Sequence, residues 1–541
     1  MPAGAWLAPH PSAEGRPRAG ARALACETTT WRRPASHRGP ARCCPPVARH
    51  RCLALSLAII LVADGARPDT FAQALDAGRL PALTRLRAEG GLATVSSVFP
   101  SVTGPAYAPF LMGRFPGPVG LPGLRWFDRA RTPATRPDAA RSYVGAEMRH
   151  VDRDLAADAP TLFELAPPGL AALNVIGRGL APGDRLARGP GFALRAAHTH
   201  FRGDVRGWLA IDQDVGAEVA ARVGARFAAG RPPRVVFCAL TGVDKTSHSA
   251  GHGAPVVGDA LGIVDATLAR LRADAERGGW WAQTTVFVVS DHGHSPVRAH
   301  DDLANWLRGR GVRTVAHPFT WAPGREAAVM VSGNAMAHVY LELARRERPW
   351  WPALAARWGP VVDDLLARPS VELVLLPLDA DRCELRHAAR GAAVVSRARV
   401  PGAAAGDGSC FAYRYAYSPL AGGDPLALGG PRAALDADAA HSVCAATDYP
   451  DALVQVAHLA GAERSGDVIV SAARDWDLRA RYEPIPHVSS HGALHREHML
   501  VPLLSSRPFV RTPRRTADVM PSVLSALGIV VPRGLDGHTV V

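Results

Sequence analysis

Three apolar runs, each ending in an aspartate, dominate the hydrophobic pattern of this chain. They cover residues 57–64, 235–244 and 284–291. Short continuous apolar runs are typical of strands that are buried on both faces, as in a parallel sheet. Ligands of open α/β sheets bind beyond the carboxyl ends of the strands. We therefore expect Asp64, Asp244 and Asp291 at one edge of one sheet.

Segments with helical spacing alternate with these strands. Apolar residues recur at helical intervals over 69–89, 215–228 and 259–275, and further strand-like runs lie at 173–177 and 499–504. The repeated order of strand and helix predicts an α/β fold with a mostly parallel central sheet and helices on both faces. From about 319 to 484 the rhythm changes, and strand-like runs at 337–342 and 371–376 predict a smaller α+β insertion.

The predicted domain organisation is a core in two pieces. The core covers 53–318 and 485–541, and an insertion or cap subdomain over 319–484 interrupts it. Residues 1–52 are rich in Pro, Arg, Gly and Ala and show no periodicity. We interpret them as a disordered or spurious N-terminal extension.

The net charge of +13 is uneven along the chain. Residues 1–52 carry +7 of it, and Lys245 is the only lysine in the sequence. A basic nucleic-acid-binding protein is the non-enzymatic alternative that this charge raises. The arginines are scattered, however, and no reading helix or aromatic platform is evident, so we expect no nucleic-acid partner.

The sequence also bears on location and redox state. No run reaches the ~20 apolar residues that span a bilayer, and no ordinary signal peptide is evident. We therefore expect no transmembrane segment and a cytoplasmic location. Cys383, Cys410 and Cys444 could pair in an oxidising compartment, but their spacing does not decide this.

Histidines follow two of the three aspartates. His248 comes four residues after Asp244, and His292 comes directly after Asp291. Aspartate and histidine are the ligands of borderline metals such as zinc. Adjacent polar residues after a buried strand are costly without partners. This pattern indicates a metalloenzyme, and His491, in the Ser-His-Gly of 490–492, is a weaker candidate ligand.

Thr103 lies just before a helix that Pro105 can initiate. A hydroxyl there faces free backbone N–H groups and the positive end of the helix dipole, which favours anion binding. A threonine is a poor nucleophile unless a base or metal lowers its pKa, and a metal held by Asp64 and Asp291 could do so. The alternative interpretation is a simple threonine N-cap.

Together these pieces resemble the alkaline phosphatase superfamily, in its type I phosphodiesterase/nucleotide pyrophosphatase branch. The matching motifs are Ala-Asp-Gly at 63–65, Pro-Ser-Val-Thr at 100–103, Asp244 with His248, Ser-Asp-His-Gly at 290–293, and Ser-His-Gly at 490–492. The resemblance implies two divalent metal ions, usually Zn²⁺. One would be held by Asp244, His248 and His491. The other would be held by Asp64, Asp291 and His292, with Thr103 as a further ligand and the nucleophile.

The activity that this resemblance implies is metal-dependent hydrolysis of a small-molecule phosphate ester, through a phosphothreonine intermediate. Alternatives on the same fold are a phosphomonoesterase, a phosphonate hydrolase and a phosphomutase. One departure bears on the substrate: diesterases of this branch carry an asparagine about twenty residues after the nucleophile, and 121–128 contains none. Our hypothesis is that Arg125 binds the phosphate instead, because guanidinium binds phosphate in a bidentate manner. The alternative is an ordinary surface arginine.

Overall fold

A computed structural model describes residues 56–131, 139–404, 406–479 and 487–541. The predicted extension over 1–52 lies outside the described residues. The strands are β1 (Leu57–Ala63), β2 (Gly91–Ser96), β3 (Arg125–Phe127), β4 (Ala140–Ser142), β5 (Gly169–Ala172), β6 (Arg185–Leu186), β7 (Val235–Leu240), β8 (Thr284–Val289), β9 (Ser295–His300), β10 (Thr314–Ala316), β11 (Ala327–Ser332), β12 (Met336–Leu341), β13 (Val371–Pro377), β14 (Arg382–His387), β15 (Gly391–Arg399), β16 (Tyr413–Leu420), β17 (Arg432–Leu435), β18 (Val468–Ala472), β19 (Asp475–Asp477), β20 (Ser489–Ser490) and β21 (Leu500–Ser505).

The α-helices alternate with the strands in the first half of the chain. They are α1 (Pro68–Asp76), α2 (Pro81–Glu89), α3 (Ala108–Met112), α4 (Val151–Asp154), α5 (Leu162–Leu165), α6 (Pro190–Phe201), α7 (Val205–Ala228), α8 (Gly242–Ala250), α9 (Pro255–Arg277), α10 (Leu303–Gly309), α11 (Trp351–Leu366), α12 (Ala437–Cys444), α13 (Ala452–Ala460), α14 (Arg496–Met499) and α15 (Val519–Ala526). No helix in this described part of the chain is long and apolar enough to cross a membrane.

The central sheet has seven strands in the order β2-β21-β8-β1-β7-β5-β6. The run from β8 to β6 is parallel, whereas β21 pairs antiparallel with both β8 and β2. This confirms the predicted mostly parallel sheet. The alternation of side chains along β1 shows why its sequence is continuously apolar. Ala58, Ile60 and Val62 enter one hydrophobic core, while Ile59 and Leu61 enter the other.

A second sheet has nine strands in the order β10-β11-β12-β18-β13-β14-β15-β16-β17. All of its pairs except β10 with β11 are antiparallel. Alternate residues of β13 face different helices: Val374 and Leu376 share a core with α11, and Leu373 and Leu375 share one with α13. The smaller α+β region is thus confirmed, and the boundaries placed at 318/319 and 484/485 stay predictions.

Two sequence-based expectations about local structure were wrong. The helix predicted over 69–89 is two helices, α1 and α2, because Pro81 begins the second and excludes helical backbone at Leu80, whose φ and ψ are −127° and 70°. The strand predicted at 173–177 lies instead at Gly169–Ala172. Leu173 has a φ of 51°, which ends the strand there.

The cysteines in the described residues are unpaired. Cys238, Cys383, Cys410 and Cys444 are all buried free thiols. Burial raises the pKa of Cys410 well above its usual value, so this thiol stays protonated and packs as an apolar group. The structure therefore gives no support to the disulfide pairing that the sequence left open.

Candidate metal centre

The predicted aspartates do meet at one edge of the central sheet. Val62 of β1 is level with Val289 of β8, so Asp64 and Asp291, each two residues further on, leave the sheet at the same height. On the other side of β1, α8 begins directly after β7 and carries Asp244 in its first turn. The topology thus delivers three carboxylates, from distant parts of the sequence, to one place.

Asp64, Asp291, His292 and Thr103 form the first group, the Asp64 cluster. His292 Nε2 lies 3.3 Å from Asp64 Oδ1 and 3.6 Å from Asp291 Oδ2. Thr103 Oγ1 lies 3.2 Å from Asp64 Oδ1 and 3.1 Å from His292 Nε2. Asp64, Asp291 and His292 are buried and Thr103 is half-buried, so Thr103 is the most exposed residue of the cluster.

Asp244, His248 and His491 form the second group, the Asp244 cluster. His248 Nε2 lies 3.1 Å and His491 Nε2 lies 3.5 Å from Asp244 Oδ1. Asp244 and His248 are neighbours because residues four apart share one face of α8. His491 arrives through the loop after β20, which an isolated bridge between His491 and Asn334 fixes to the second sheet.

The three candidate ligand histidines are oriented in the same way. Nδ1 of His248 lies 2.8 Å from the Ser489 carbonyl, Nδ1 of His491 lies 2.9 Å from the Ser101 carbonyl, and Nδ1 of His292 lies 3.1 Å from its neighbour's carbonyl. A carbonyl oxygen only accepts, so Nδ1 donates in each case. In the neutral imidazole each Nε2, the nitrogen that faces the carboxylates, is therefore the one that offers a lone pair to a metal.

The two clusters adjoin. The rings of His292 and His491, one from each cluster, stack at 3.6 Å between centroids and 6° between planes. Gly65 makes this approach possible: its φ is 81°, and a Cβ there would stand 3.0 Å from the Asp244 Cα. The glycine of the Ala-Asp-Gly motif is thus required both by its backbone conformation and by the space between the clusters.

Thr103 does not act as an N-cap, so that alternative is wrong. The 3₁₀-helix Pro105–Tyr107 that opens the following helical segment is preceded by Gly104 and has no side-chain cap. The Thr103 hydroxyl instead hydrogen-bonds with Asp64 and His292. The geometry therefore favours a chemical use of this hydroxyl.

The electrostatics of the Asp64 cluster reflect crowded carboxylates. Burial and the nearby Asp64 carboxylate raise the pKa of Asp291 to about 8. Burial lowers the pKa of His292, but Asp291 and Asp64 outweigh it and raise this pKa to about 9. In the Asp244 cluster, burial raises the pKa of Asp244, but His248 and the Lys245 ammonium outweigh it and hold the pKa well below its usual range.

The donor set fits two divalent cations. The ligand atoms of Asp64, Asp291 and His292 lie within 4.8 Å of one another, as do those of the Asp244 cluster. Asp291 Oδ2 is buried and has no hydrogen-bond partner among the described residues. Buried carboxylates are stable only when they are paired or bound to a metal, and this mixture of aspartate and histidine is typical of zinc.

Arg125 begins β3, and Tyr143 directly follows β4, its partner in a two-stranded hairpin. The charges of Arg125, Asp64, Asp291 and Asp244 all act on the Tyr143 phenol. Arg125 is therefore on the same side of the molecule as both clusters. It is half-buried and its Nε is buried. Its role in binding phosphate stays a prediction, beside the alternative of a surface arginine.

Several residues near the clusters had no role assigned from the sequence. Nε2 of His294 lies 2.9 Å from Asp244 Oδ1, and the Tyr107 hydroxyl donates to Asp64 Oδ2 at 3.3 Å. His487 lies against His248 at 4.2 Å between ring centroids. His294 was visible as the last residue of the Asp-His-Gly-His run, whereas the tyrosine and His487 carried no sequence signal.

Comparisons with known proteins agree with this picture. The chain matches the family model described as type I phosphodiesterase / nucleotide pyrophosphatase over residues 58–352, more than half of its length. A sequence search of curated proteins finds no significant match.

Solved structures share the fold. Human ectonucleotide pyrophosphatase / phosphodiesterase 5 gives a TM-score of 0.54 at 12% identity, over 89% of this chain and 97% of that chain. The murine protein of the same name gives 0.51 at 14% identity, over 88% and 96%. Phosphonoacetate hydrolase from Sinorhizobium meliloti 1021, in complex with phosphonoformate, gives 0.50 at 16% identity, over 88% and 96%. At these identities the similarity shows the fold alone.

Proposed function

Because the chain belongs to the type I phosphodiesterase/nucleotide pyrophosphatase family, as its motifs predicted, we propose that it hydrolyses small-molecule phosphate esters through a phosphothreonine at Thr103. The observation that carries this proposal is the position of one hydroxyl. Thr103 Oγ1 is half-buried and lies 3.2 Å from Asp64 Oδ1 and 3.1 Å from His292 Nε2. Thr103 is the one residue of the Asp64 cluster that is not fully buried, as a nucleophile that must reach a substrate requires.

The residues that would hold the two cations, which we take to be Zn²⁺, are those of the two clusters. Asp64, Asp291 and His292 would hold one, and Asp244, His248 and His491 the other, with Thr103 beside the first. When bound, such cations supply positive charge that stabilises the attacking and leaving oxygens of an in-line phosphoryl displacement.

The chain's own groups account for the covalent steps. Thr103 Oγ1 attacks phosphorus and gives up its proton, which its hydrogen bond directs toward Asp64 Oδ1. The bond from phosphorus to the leaving alcohol breaks, and the alcohol oxygen takes up that proton. In the second step a water oxygen attacks the phosphothreonine and the bond from Thr103 Oγ1 to phosphorus breaks. One hydrogen of the water passes to Thr103 Oγ1, and the other stays on the phosphate. The net reaction consumes one water and releases an alcohol and a phosphate.

Arg125 is the proposed determinant of substrate charge. Its guanidinium and the three carboxylates all act electrostatically on the Tyr143 phenol, and a guanidinium pairs well with two phosphate oxygens. The extra positive charge favours either a dianionic monoester or a charged diester.

The test is to assay the zinc-loaded protein on a panel of aryl phosphomonoesters, phosphodiesters and phosphonates. An acid quench during turnover, followed by mass spectrometry, should detect a phosphopeptide that contains Thr103. Thr103→Ala should abolish the phosphopeptide and reduce turnover by several orders of magnitude, while both metals stay bound. Thr84→Ala is the matched control, because this half-buried threonine of α2 belongs to neither cluster and its hydroxyl has no hydrogen-bond partner among the described residues.

Two results would count against the proposal. Turnover by Thr103→Ala at the wild-type rate would eliminate the covalent route. Absence of turnover on every ester and phosphonate, in protein that holds two metals, would eliminate the activity itself.

A further inference from the structure

A buried tyrosine next to the proposed nucleophile has an unsatisfied hydroxyl. Tyr143 is 3% exposed, and its hydroxyl has no hydrogen-bond partner among the described residues. Buried tyrosine hydroxyls usually find a partner, and one that does not requires an explanation. Tyr107, the other buried tyrosine at the clusters, does find one, because its hydroxyl donates to Asp64 Oδ2.

The Tyr143 ring lies directly against the backbone that carries Thr103. A Cβ added at Gly104 would overlap Cζ, the ring carbon that bears the hydroxyl. Gly104 has a φ of 92°, a conformation that favours glycine. The end of the phenol that carries the hydroxyl is therefore packed beside the residue that follows Thr103.

The position of Tyr143 is fixed by the hairpin of β3 and β4. Its backbone N–H donates to the Leu124 carbonyl at 3.3 Å, and the preceding Ser142 pairs with Arg125. The tyrosine and the arginine thus come from neighbouring positions of one small ladder. One short two-stranded ladder therefore carries both residues.

The phenol is a neutral donor. An unperturbed tyrosine has a pKa of about 10, and burial raises the pKa of Tyr143 well above that value. A neutral phenol carries one O–H donor. None of the described residues accepts a hydrogen bond from this O–H. An oxygen of a bound substrate would supply the acceptor that it lacks.

We propose that Tyr143 is a catalytic residue that donates a hydrogen bond to a nonbridging oxygen of the phosphoryl group at Thr103. This inference rests on the proposed function, and it assigns a second, uncharged donor to the phosphoryl group beside Arg125. Charge develops on the phosphoryl oxygens during the displacement, so a fixed donor stabilises the transition state more than the bound ester.

The experiment compares Tyr143→Phe with wild type, both loaded with zinc. The substitution removes only the hydroxyl and keeps the ring over Gly104. We expect kcat to fall by about 10²- to 10³-fold, as for loss of one oxyanion donor, with a smaller change in KM. The inhibition constant of orthovanadate should rise by a similar factor. The metal content should stay the same and the Tm should not fall.

Tyr415→Phe is the matched control. This tyrosine is equally buried, but it lies in the second sheet and its hydroxyl donates to the Cys410 carbonyl at 2.8 Å. Its loss should lower the Tm and leave kcat unchanged. A purely structural role for Tyr143 would produce this pattern at position 143 as well.

A second measurement keeps the native hydroxyl. With 3-fluorotyrosine placed at position 143 alone, the ¹⁹F resonance should shift when orthovanadate binds. Two results would overturn the role of Tyr143 and leave the proposed function standing. One is that Tyr143→Phe keeps the wild-type kcat and the wild-type inhibition by vanadate. The other is that the ¹⁹F resonance does not shift in protein that vanadate inhibits. Wild-type protein with two metals but no hydrolysis and no vanadate inhibition would overturn both.

Discussion

Adding zinc to the metal-free protein should release close to two protons at pH 7. The Asp64 cluster supplies them. Burial and the Asp64 carboxylate raise the pKa of Asp291 to about 8. At His292, burial lowers the pKa, but Asp291 and Asp64 raise it to about 9. Metal ligation requires both groups without their protons.

The size of the effect follows from these two pKa values. At pH 7 a group with a pKa of about 8 is about 90% protonated, and one with a pKa of about 9 is about 99% protonated. Below pH 8, the affinity of this cluster for zinc should therefore increase by up to about 100-fold for each unit that the pH rises, which is about 2.7 kcal/mol of binding free energy. Near pH 10 the release from these two groups should fall to about 0.1 proton.

The same pKa shifts determine whether the metal-free protein becomes more or less stable as the pH rises. Both pKa values are higher in the folded than in the unfolded chain, so the folded state binds more protons. These groups stabilise the fold at low pH. The contribution is lost as the pH rises, from about 4 to 8 for Asp291 and from about 6.5 to 9 for His292.

Isothermal titration calorimetry at pH 7, in buffers with different ionisation enthalpies, measures the number of protons released per zinc. Asp291→Asn is the comparison, because it removes one titrating carboxyl and keeps the shape of the side chain. We expect about 0.9 proton fewer from this variant, the share that the Asp291 carboxyl supplies. Equal proton counts in the two proteins would refute the argument that crowded carboxylates hold protons in this cluster.

Three further predictions concern single residues. Asp291→Ala should bind one zinc where the wild type binds two, as measured by metal analysis after dialysis; retention of both would mean that the Asp64 cluster is assigned wrongly. Arg125→Ala should lower kcat/KM by about 10²-fold on the preferred ester class and change the ratio of monoester to diester turnover; unchanged kinetics on both classes would exclude a phosphate-binding role. Burial raises the pKa of Asp212 to about 7, so this carboxyl should lower the free energy of unfolding by up to about 1.4 kcal/mol for each unit that the pH rises between pH 4 and 7. The free energy of unfolding of Asp212→Asn, measured with denaturant at several pH values, should lack this decrease. The same decrease as in wild type would contradict the burial argument.

The sequence predicted the central sheet and the convergence of the three carboxylates because both follow from local pattern. Apolar runs buried on both faces identify β1, β7 and β8, and the register of a parallel sheet then brings Asp64 level with Asp291. The i, i+4 spacing of Asp244 and His248 became a shared helical face in the same way. The signals themselves lie in residues close together in the chain, and the general architecture of a parallel sheet then brings the carboxylates together.

Features that depend on packing between distant segments were not predictable. Tyr143 lies at the end of a hairpin strand of three residues, Ala140–Ser142, which has no usable periodicity. The break between α1 and α2 depends on how Pro81 competes with a continuous helical pattern. The predicted cytoplasmic location, the absence of a nucleic-acid partner and the domain boundaries stay predictions.

The orientation of the three candidate ligand histidines has a consequence for variation. Their Nδ1 atoms are held by main-chain oxygens of residues 101, 293 and 489, and no substitution at those positions deletes a carbonyl. Side chains at residues 101 and 489 can therefore change without removing the partner of a histidine, whereas any side chain at Gly293 would collide with the Glu497 carbonyl oxygen. Substitutions of other side chains near the site, in evolution or by design, can therefore change which ester is accepted while the three candidate ligand histidines keep their orientation.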